Sequence, residues 1–318
     1  MKRFVLTAIV LIAAVLSASA QRDSLLVMFW NLENFFDWKD GGQNASDTEF
    51  STAGARHWSS RRFYAKADAI GKTVLWTADR FSRLPDVVAV AEVENSYVLK
   101  QLIYSSPLRK FGYSFIHYDS PDPRGIDVAL LYRKDRLSPV CSRPVHISGF
   151  ATRDILEATF ATFSEDTVTV LVNHHPSKYG GAGTGSRRTV AMETLCGVCD
   201  SLADVHGALV NTIAVGDFND TPDAEAFSLL HGRLVNLAIP LHAAGRGSIR
   251  YDGKWELIDM VMVSDDLSED VMEILEPPFL LTRDASHSGL KPLRTYVGPR
   301  YNGGVSDHLP VAAMVHLK

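Results

Sequence analysis

The sequence predicts an α/β fold in which two β-sheets are stacked face to face and helices lie outside them. Short runs rich in β-branched residues recur along the chain, each bounded by Gly, Pro, Asp or Asn. Helical patterns lie between some of these runs, whereas other runs form hairpin-like pairs, such as 156–163 with 167–172. Because strands that follow helices are mixed with paired strands, we expect two mixed sheets.

Nine strands and four helices are predicted from these patterns. The strands span residues 25–30, 86–90, 113–118, 127–132, 156–163, 167–172, 212–215, 257–263 and 309–316. The helices span residues 60–79, 96–104, 187–205 and 223–231, and the last follows Thr221-Pro222, a typical helix start. Gly- and Ser-rich stretches at 39–54, 180–186 and 245–253 are predicted to be surface loops.

The first twenty residues have the pattern of an export signal. Lys2 and Arg3 form a basic start, an apolar stretch follows, and Ser17-Ala18-Ser19-Ala20 is a small-residue cleavage site. The apolar stretch is short for a membrane span. We therefore predict that residues 1–20 are a cleaved signal peptide and that the mature protein is secreted or periplasmic, without stable membrane association.

Residues 21–318 are predicted to form one domain, because no Pro- or Ser-rich linker, repeat or low-complexity tract divides them. The chain contains three cysteines, and this odd number excludes a complete disulfide framework. Cys196 and Cys199 form a C-x-x-C pair, but both fall inside the helical stripe of 187–205. We expect them to pack in the core rather than to act in redox chemistry. No protein partner is indicated, and a monomer is expected.

The net charge of −5 becomes −7 when Lys2 and Arg3 are removed with the signal. An acidic protein is not a general binder of polyanions, so tight non-specific DNA binding is disfavoured. A nucleic-acid substrate is still compatible with this charge, because metal ions and a local basic rim can offset the repulsion. The rim is predicted around Arg61, Arg62, Arg187 and Arg188.

Five acidic and amide motifs occur in order along the chain, and four of them directly follow a predicted strand. Polar groups at strand ends gather at one edge of a sheet, where open α/β folds place their ligands. We therefore expect the five motifs to form one site. They are Trp30-Asn31-Leu32-Glu33-Asn34, Ala91-Glu92-Val93-Glu94-Asn95, Val172-Asn173-His174-His175-Pro176, Gly216-Asp217-Phe218-Asn219-Asp220 and Ser306-Asp307-His308-Leu309-Pro310.

The carboxylates in these motifs suit a hard divalent cation such as Mg²⁺, which takes oxygen ligands. Glu92 is the best single candidate, because a carboxylate at the end of a buried strand is costly unless it is paired. Glu33 and Asp307 are predicted as further ligands. Asn31 either orients them or contacts the scissile phosphate. Glu94 and Asn95 are equally compatible with capping the helix that begins near Ser96.

Four other residues are candidates for the chemical step. Asp217 and Asn219 lie two residues apart, and in an extended backbone they point to the same side, where one aligns or deprotonates water and the other holds a phosphoryl oxygen. The alternative is an Asx-turn, which Asp220 can supply. Asp259 is a lone acid in an apolar strand and needs a partner, for which a histidine such as His308 is the natural choice. His308 is predicted to act as a cation or as an acid or base.

Other chemistries are disfavoured by the sequence. The histidines lack zinc-site spacing, and no G-x-S-x-G elbow, P-loop or dinucleotide fingerprint occurs. Strand alternation allows either His174 or His175 to face the site, but not both.

The ordered motifs resemble the endonuclease/exonuclease/phosphatase superfamily, which includes pancreatic-type deoxyribonucleases and bacterial sphingomyelinases. The resemblance extends from Trp30 to Pro310, and the sequences of residues 30–37, 92–95 and 216–220 are most similar to those of exported bacterial nuclease-like members. It implies a four-layer α/β sandwich of two stacked mixed sheets flanked by helices. It also implies phosphoester cleavage with Mg²⁺ or a similar ion, either Mn²⁺ or Ca²⁺.

The resemblance also assigns roles to single residues. Asn31 and Glu92 match metal-site positions, Asp307 matches another metal-site carboxylate, and Glu33 matches a position that is acidic in part of the family. Asp217 and Asn219 match the water-activating and phosphate-contacting pair, and Asp259 and His308 match the acid–imidazole pair. His174 is preferred over His175 for the family's single histidine. Arg124 and Asn173 are assigned to the substrate phosphate, whereas Asp127 is either functional or structural.

The leading functional hypothesis is an exported phosphodiesterase that acts on nucleic acid, either DNA or RNA. The alternative within the enzyme class is a phosphatase or phospholipase-like hydrolase of small phosphoesters or lipid headgroups. The alternative outside it is a catalytically silent binding protein of the same fold, which is disfavoured because every expected acid and imidazole position is filled.

Overall fold

The computed structural model describes residues 24–178, 183–267 and 270–318. The predicted export signal at residues 1–20 lies outside the described residues. In the ranges given, the structure contains no helix with the length and apolar character that a membrane span requires.

The first of two six-stranded sheets is built around the long strand β1, Ser24–Phe35. β1 runs parallel to β2, and all other neighbours in this sheet are antiparallel. Its other strands are β2 (Val87–Val93), β3 (Tyr113–His117), β4 (Asp127–Arg133), β13 (Val271–Ile274) and β18 (Val311–His316). The strand order is β13-β18-β1-β2-β4-β3. Every residue of β2 is buried, as expected for a central strand covered on both faces.

The second sheet repeats this plan, with one parallel pair, β7 and β8, at its centre. Its strands are β5 (Leu137–Val145), β6 (Ile155–Thr162), β7 (Thr167–His174), β8 (Thr212–Asp217), β9 (Leu234–Asn236) and β12 (Asp259–Ser264). The order is β5-β6-β7-β8-β12-β9. β6 and β7 form the predicted hairpin.

The two sheets pack face to face, and their contact brings the central strands of each together. β1 packs against β8 and β12, while β2 packs against β7 and β8. The side chains between the sheets belong to one continuous hydrophobic cluster. Because β1, β2, β8 and β12 are neighbours in this stack, the residues at their ends meet at one edge of the sandwich.

Helices flank the sheets. α1 spans Ala45–Glu49, α2 Ser60–Phe81, α3 Ser96–Ser105, α4 Thr184–His206 and α5 Ile239–Ala243. α2 lies against the first sheet, where Phe63 stacks on Phe35 with a ring separation of 5.0 Å. Asn95 caps α3 by accepting the Tyr97 and Val98 amides, so its role is structural. The four-layer sandwich of two mixed sheets flanked by helices is thus confirmed.

All nine predicted strands and three of the four predicted helices are present. The fourth helix, predicted at 223–231, is wrong: the chain forms a 3₁₀ turn at Glu225–Leu230. Phe227 and Leu230 are its buried residues, and their spacing of three matches the 3₁₀ repeat. Cys196 and Cys199 are free thiols buried in α4, as predicted. Burial raises the pKa of the Cys199 thiol to about 12, which keeps it protonated and inert.

Strand β5 was missed because its sequence does not resemble a strand. It contains Pro139 and Pro144, and most of its side chains are exposed. β5 is the edge strand of the second sheet, where a proline can be accommodated because one side of the strand needs no partner. The ladder is irregular between Pro139 and Cys141, consistent with a bulge.

Three small hairpins complete the described structure. They pair β10 (Ile249–Tyr251) with β11 (Lys254–Glu256), β14 (Leu281–Arg283) with β15 (Leu290–Pro292), and β16 (Tyr296–Val297) with β17 (Arg300–Tyr301). Residues from the first two hairpins line a cavity at the strand-end edge of the sandwich.

Candidate active site

The cavity at this edge has a volume of about 380 Å³ and collects most of the predicted site residues. Nine of the eleven line its wall: Asn31, Glu33, Glu92, Arg124, His174, Asp217, Asn219, Asp307 and His308. Asp259 lies directly behind His308, and Asn173 faces elsewhere. The motifs are therefore brought together as expected, while the chemical role of each residue remains a prediction.

Asp259 and His308 form a buried carboxylate–imidazole pair. Nδ1 of His308 lies 2.8 Å from Oδ2 of Asp259, which also accepts a hydrogen bond from the Ser248 hydroxyl. Since Nδ1 faces the carboxylate, Nε2 faces the cavity, 3.9 Å from Oδ2 of Asp217. Burial disfavours the charged ring, but the charge and hydrogen bond of Asp259 outweigh it and raise the pKa of His308 well above its usual value. The contact with Asp259 thus favours the protonated form of His308.

Asp217 ends strand β8 opposite Asp259, its register partner in β12. Its Oδ2 accepts a hydrogen bond of 3.0 Å from the Asn31 amide, and its Oδ1 accepts one of 2.9 Å from the backbone N–H of Asn219. Burial raises the pKa of Asp217 to about 7, although the charge of His308 opposes the rise. A carboxyl group with this pKa can exchange a proton near neutral pH.

The geometry at Asn219 corrects one premise of the sequence prediction. The backbone is not extended after Asp217, because Asn219 has a φ of 51° and donates its backbone N–H to the Asp217 carboxylate. Asp217 therefore closes the Asx-turn itself, a role we had left to Asp220. The turn still carries both side chains to the cavity. The Asn219 amide donates one hydrogen bond to the His175 carbonyl, and its second N–H is left for a ligand.

Glu92 enters the cavity through an irregularity in strand β2. The pairing shifts register between Ala91 and Val93, and Glu92 has a φ of 61°. Its Oε2 accepts the Asn34 backbone N–H at 2.8 Å, and Arg124 approaches the same oxygen at 3.4 Å. A bulge at this position re-aims the side chain from the sheet into the cavity.

Glu33 and Asp307 share a partner that the sequence did not reveal, Arg294. Its Nε and Nη2 lie 2.9 and 2.8 Å from Oε1 of Glu33, and Nη2 lies 3.1 Å from Oδ2 of Asp307. The Thr295 backbone N–H binds the other Glu33 oxygen at 3.2 Å. Burial and the nearby Asp307 raise the pKa of Glu33 to about 7, while Arg294 and Lys66 oppose the rise.

Three more arginines line the cavity, Arg124 as predicted, and Arg153 and Arg250, which no motif indicated. Arg124 donates to the Asn34 side chain at 2.8 Å. Arg153 is buried, with Nη1 on Asp122 at 3.0 Å and Nη2 on the His175 carbonyl at 2.7 Å. No sequence motif surrounds Arg153 or Arg294, so only their long-range contacts in the structure identify them as cavity residues.

The structure shows which residues of the Asn173-His174-His175 segment face the cavity. His174 does, with Nε2 3.6 Å from Oδ2 of Asp217, as we preferred. Burial, with the charge of Arg153, lowers the pKa of His174 well below its usual value, which favours the neutral ring. His175 instead packs edge-on against Phe218. Asn173 was assigned to the phosphate, and this is corrected: its buried amide donates to the backbone carbonyls of Leu171 and Val215.

The predicted basic rim is also wrong. Arg61, Arg62, Arg187 and Arg188 do not line the cavity. Arg62 lies over the Tyr301 ring, Arg187 over Phe150, and Arg188 pairs with Asp220. The positive charge at the cavity comes from Arg124, Arg153, Arg250, Lys291 and Arg294 instead.

Several cavity residues adopt a left-handed backbone conformation, which is unfavourable for residues other than glycine. The φ angles are 47° at Glu33, 56° at Asn34, 61° at Glu92 and 51° at Asn219. Such conformations persist where the surrounding structure fixes them, and they concentrate at functional sites. Here they aim side chains from the strand ends into the cavity.

Within residues 24–178, 183–267 and 270–318, two groups of side chains have the composition of a metal site: Asp217, Asp259 and His308 at the cavity, and His117, Asp119 and Asp127 elsewhere. In the first group, Oδ2 of Asp259 already binds Nδ1 of His308 and the Ser248 hydroxyl. The carboxylates at the cavity mouth are a better match for a hard cation. Glu92 presents oxygen donors there beside Asn31, which fits the ligand preference of Mg²⁺ and related ions.

Comparison with known proteins agrees with this geometry. Residues 26–318 match the family model described as the endonuclease/exonuclease/phosphatase family. A comparison with curated protein sequences finds no significant match.

Solved structures share the fold at low sequence identity. An endonuclease/exonuclease/phosphatase family protein from Bacteroides thetaiotaomicron is 17% identical with a TM-score of 0.61, over 94% of this chain and 99% of that chain. The human Nocturnin catalytic domain with bound sulfate is 17% identical with a TM-score of 0.55, over 94% and 98%. A mannosyl-6-phosphatase from B. thetaiotaomicron VPI-5482 is 16% identical with a TM-score of 0.56, over 92% and 99%.

Proposed function

The chain belongs to the endonuclease/exonuclease/phosphatase family, whose enzymes hydrolyse phosphoester bonds with divalent metal ions, and from this membership we propose that it is a phosphodiesterase acting on nucleic acid. The observation that carries the proposal is the meeting of Asp217, His308 and Glu92 in one cavity, each delivered by a different segment of the sandwich. Together they supply a base, a cation and a metal ligand, which are the parts that hydrolysis of a phosphodiester needs.

Asp217 is the proposed base. Its pKa of about 7 leaves a substantial fraction ionised at neutral pH, so its carboxylate can accept a proton from water. The hydrogen bonds from Asn31 and from the Asn219 backbone fix the carboxylate in place. A fixed base loses little freedom when the reaction begins, which lowers the barrier.

His308 is the proposed stabiliser of the negative charge that develops on the phosphoryl oxygens. The Asp259 carboxylate holds the ring by Nδ1, so the Nε2–H of the imidazolium points into the cavity. A preorganised charged donor in a partly dry site stabilises such an oxyanion more than water does. The second N–H of the Asn219 amide is available to the same group.

Glu92 and Asn31 are the residues proposed to hold the divalent ion, which we expect to be Mg²⁺, with Mn²⁺ or Ca²⁺ as alternatives. When bound, such an ion would neutralise phosphate charge and polarise the phosphoryl group. The Asn31 carbonyl oxygen accepts the Glu33 backbone N–H at 2.9 Å, and its second lone pair remains free for this purpose.

The cavity charges support a substrate with more than one phosphate. Arg124 is half-exposed at the mouth beside Glu92, and Arg294 is half-exposed next to Asp307. Both positive groups line the cavity that contains the proposed chemistry, and arginines of this kind contact the phosphates that flank a cleaved bond. Because the protein as a whole is acidic, this local charge favours binding at the cavity over binding along the whole surface.

We also propose that the protein acts outside the cytoplasm. The support is the basic start, apolar stretch and small-residue cleavage site of residues 1–20. Expression of the full-length chain in a bacterial host, followed by fractionation and mass spectrometry of the N-terminus, tests this. We expect a mature protein that begins at Gln21 in the periplasm or medium, and an uncleaved chain in the cytoplasm would contradict the proposal.

Purified protein should be incubated with plasmid DNA, RNA, bis-p-nitrophenyl phosphate, p-nitrophenyl phosphate and phosphatidylcholine vesicles, each with Mg²⁺, Mn²⁺, Ca²⁺ or EDTA. We expect metal-dependent cleavage of DNA or RNA and of the model diester, abolished by Asp217→Asn and retained by Arg80→Ala, which removes a surface arginine paired with Glu273. Preferential cleavage of the monoester or the phospholipid would replace the substrate proposal. Inactivity on all five with every metal would favour a silent binding protein.

A further inference from the structure

Arg294 occupies an unusual place for an arginine, between two carboxylates of the proposed catalytic cavity. It follows strand β15 and precedes β16, and its guanidinium reaches across to Glu33 and Asp307. Nε donates a hydrogen bond of 2.9 Å to Oε1 of Glu33, and Nη2 forms ion pairs with Oε1 of Glu33 at 2.8 Å and with Oδ2 of Asp307 at 3.1 Å. The neighbouring Thr295 N–H binds the remaining Glu33 oxygen, so one short segment contacts both oxygens of that carboxylate.

The two carboxylates need a cation because they are close together and Glu33 is buried. Its side chain is 7% exposed, and that of Asp307 is 36% exposed. Two neighbouring carboxylates repel each other unless a positive charge lies between them. Arg294 supplies this charge from within the chain.

Glu92 is held differently. Its Oε2 accepts one backbone N–H, and Arg124 is 3.4 Å away, beyond a short hydrogen bond. Its Oε1 accepts no hydrogen bond from the part of the chain that the structure describes. Glu92 therefore has an oxygen available for an ion, whereas Glu33 and Asp307 already share a cation.

We propose that Arg294 is a built-in cation that takes the place of a metal ion at Glu33 and Asp307, so that the cavity binds one divalent ion, at Glu92 and Asn31. This inference rests on the proposed function, since it assumes a divalent ion in this cavity. It differs from the expectation that Glu33 and Asp307 are metal ligands. It also makes Arg294 a positioning residue, which fixes the charge of the cavity before substrate arrives.

Counting bound Mn²⁺ tests the proposal without measuring hydrolysis. Metal-free protein is titrated with Mn²⁺, and the free ion is measured by its electron paramagnetic resonance signal. We expect one bound ion per wild-type chain and two per Arg294→Ala chain, because the substitution removes the guanidinium that contacts both Glu33 and Asp307, while Lys66 contacts the Glu33 backbone carbonyl. Glu33→Gln in the Arg294→Ala background should return the count to one, and Glu92→Gln in the wild type should remove the single ion.

Two further variants serve as controls for this titration. Arg80→Ala removes an arginine that binds Glu273 with two hydrogen bonds far from the cavity, and it should keep the wild-type count. Arg294→Gln removes the charge but keeps a hydrogen-bond donor, so it should also bind two ions if Arg294→Ala does not fold. Two ions in the wild type, one ion in both Arg294 variants, or no binding to any of them would overturn the inference. Absence of hydrolysis with one ion bound would instead contradict the proposed function alone.

Discussion

Two clusters of one histidine and two aspartates in the described part of the chain are close enough to hold a metal ion, and they differ in what surrounds them. In the first, Asp217, Asp259 and His308 meet at the strand-end cavity. In the second, His117 lies 3.0 Å from Asp127 and 4.0 Å from Asp119. His117 is the last residue of β3 and Asp127 the first of β4, so this pair joins the two ends of the connecting loop. Asp127 also accepts hydrogen bonds from the backbone N–H and hydroxyl of Ser120, so it ties the base of this loop together.

A buried histidine–aspartate pair is therefore not by itself a functional site. The His308 ring faces a cavity that also holds Glu92, Asn219 and two half-exposed arginines. The ring of His117 is 4% exposed and is enclosed by its own loop, and Asp119 is 90% exposed. What distinguishes the first cluster is the space beside it and the groups that could hold a phosphate there.

The largest expected effect is at His308. Since its imidazolium is proposed to stabilise charge in the transition state, His308→Ala should lower kcat/KM on a phosphodiester by about 10³-fold. The folded structure should persist, as checked by circular dichroism and thermal unfolding. If the activity of His308→Ala stays within tenfold of the wild type, His308 is not catalytic, and the two clusters do not differ in this respect.

Asp259→Asn should have the next largest effect, about 10- to 100-fold on kcat, because the carboxylate orients His308 without touching substrate. It should also change the pH profile. Asp259 raises the pKa of His308, so its loss lowers that pKa, and the imidazolium disappears at a lower pH. The alkaline limb of the kcat/KM profile should therefore move to lower pH. An unshifted limb would argue that Asp259 is structural, like Asp127.

Asp127→Asn should affect stability more than activity. The substitution weakens the buried bonds to His117 and Ser120, and we expect the free energy of unfolding to fall by about 1–3 kcal/mol in urea denaturation. Activity of the folded protein should change by less than about tenfold, through the loop that carries Arg124. A loss of activity comparable to that of His308→Ala, at unchanged stability, would show a catalytic role that the structure does not suggest.

The smallest effect is expected at Asp119. Its carboxylate is almost fully exposed, and its distance of 4.0 Å from His117 is at the limit of an ion pair. Asp119→Asn should change the unfolding free energy by less than about 0.5 kcal/mol and leave kcat/KM unchanged. If Mn²⁺ stabilises Glu92→Gln protein but not the Glu92→Gln/Asp119→Asn double variant in a thermal shift assay, the second cluster binds metal after all.

The sequence predicted the parts of the site that lie in local patterns. Glu92 and Asp217 were found because each ends an apolar strand, and Asp259 because a lone buried acid needs a partner. Arg294 was not, because it lies 261 residues from Glu33 and nothing around it differs from an ordinary loop. Asn173 was misassigned because the sequence did not show which way the strand faces once it meets β8.

The fold was predictable to a similar extent and for similar reasons. Central strands such as β2 are continuous apolar runs and were found with nearly correct bounds. Edge strand β5 was missed, since its prolines are tolerated by its position in the sheet and not by its local sequence. Position in the sheet depends on tertiary contacts, which a local pattern does not contain.

The left-handed backbone at Glu33, Asn34, Glu92 and Asn219 implies a conflict between durability and catalysis in this molecule. Each such residue is destabilising by roughly 1 kcal/mol or more relative to a glycine that adopts the same conformation freely. A screen that selects for thermal stability alone would therefore favour glycine at these positions, and the cavity would lose its functional side chains. Engineering for thermal stability should leave these four residues unchanged and place stabilising substitutions in distant loops.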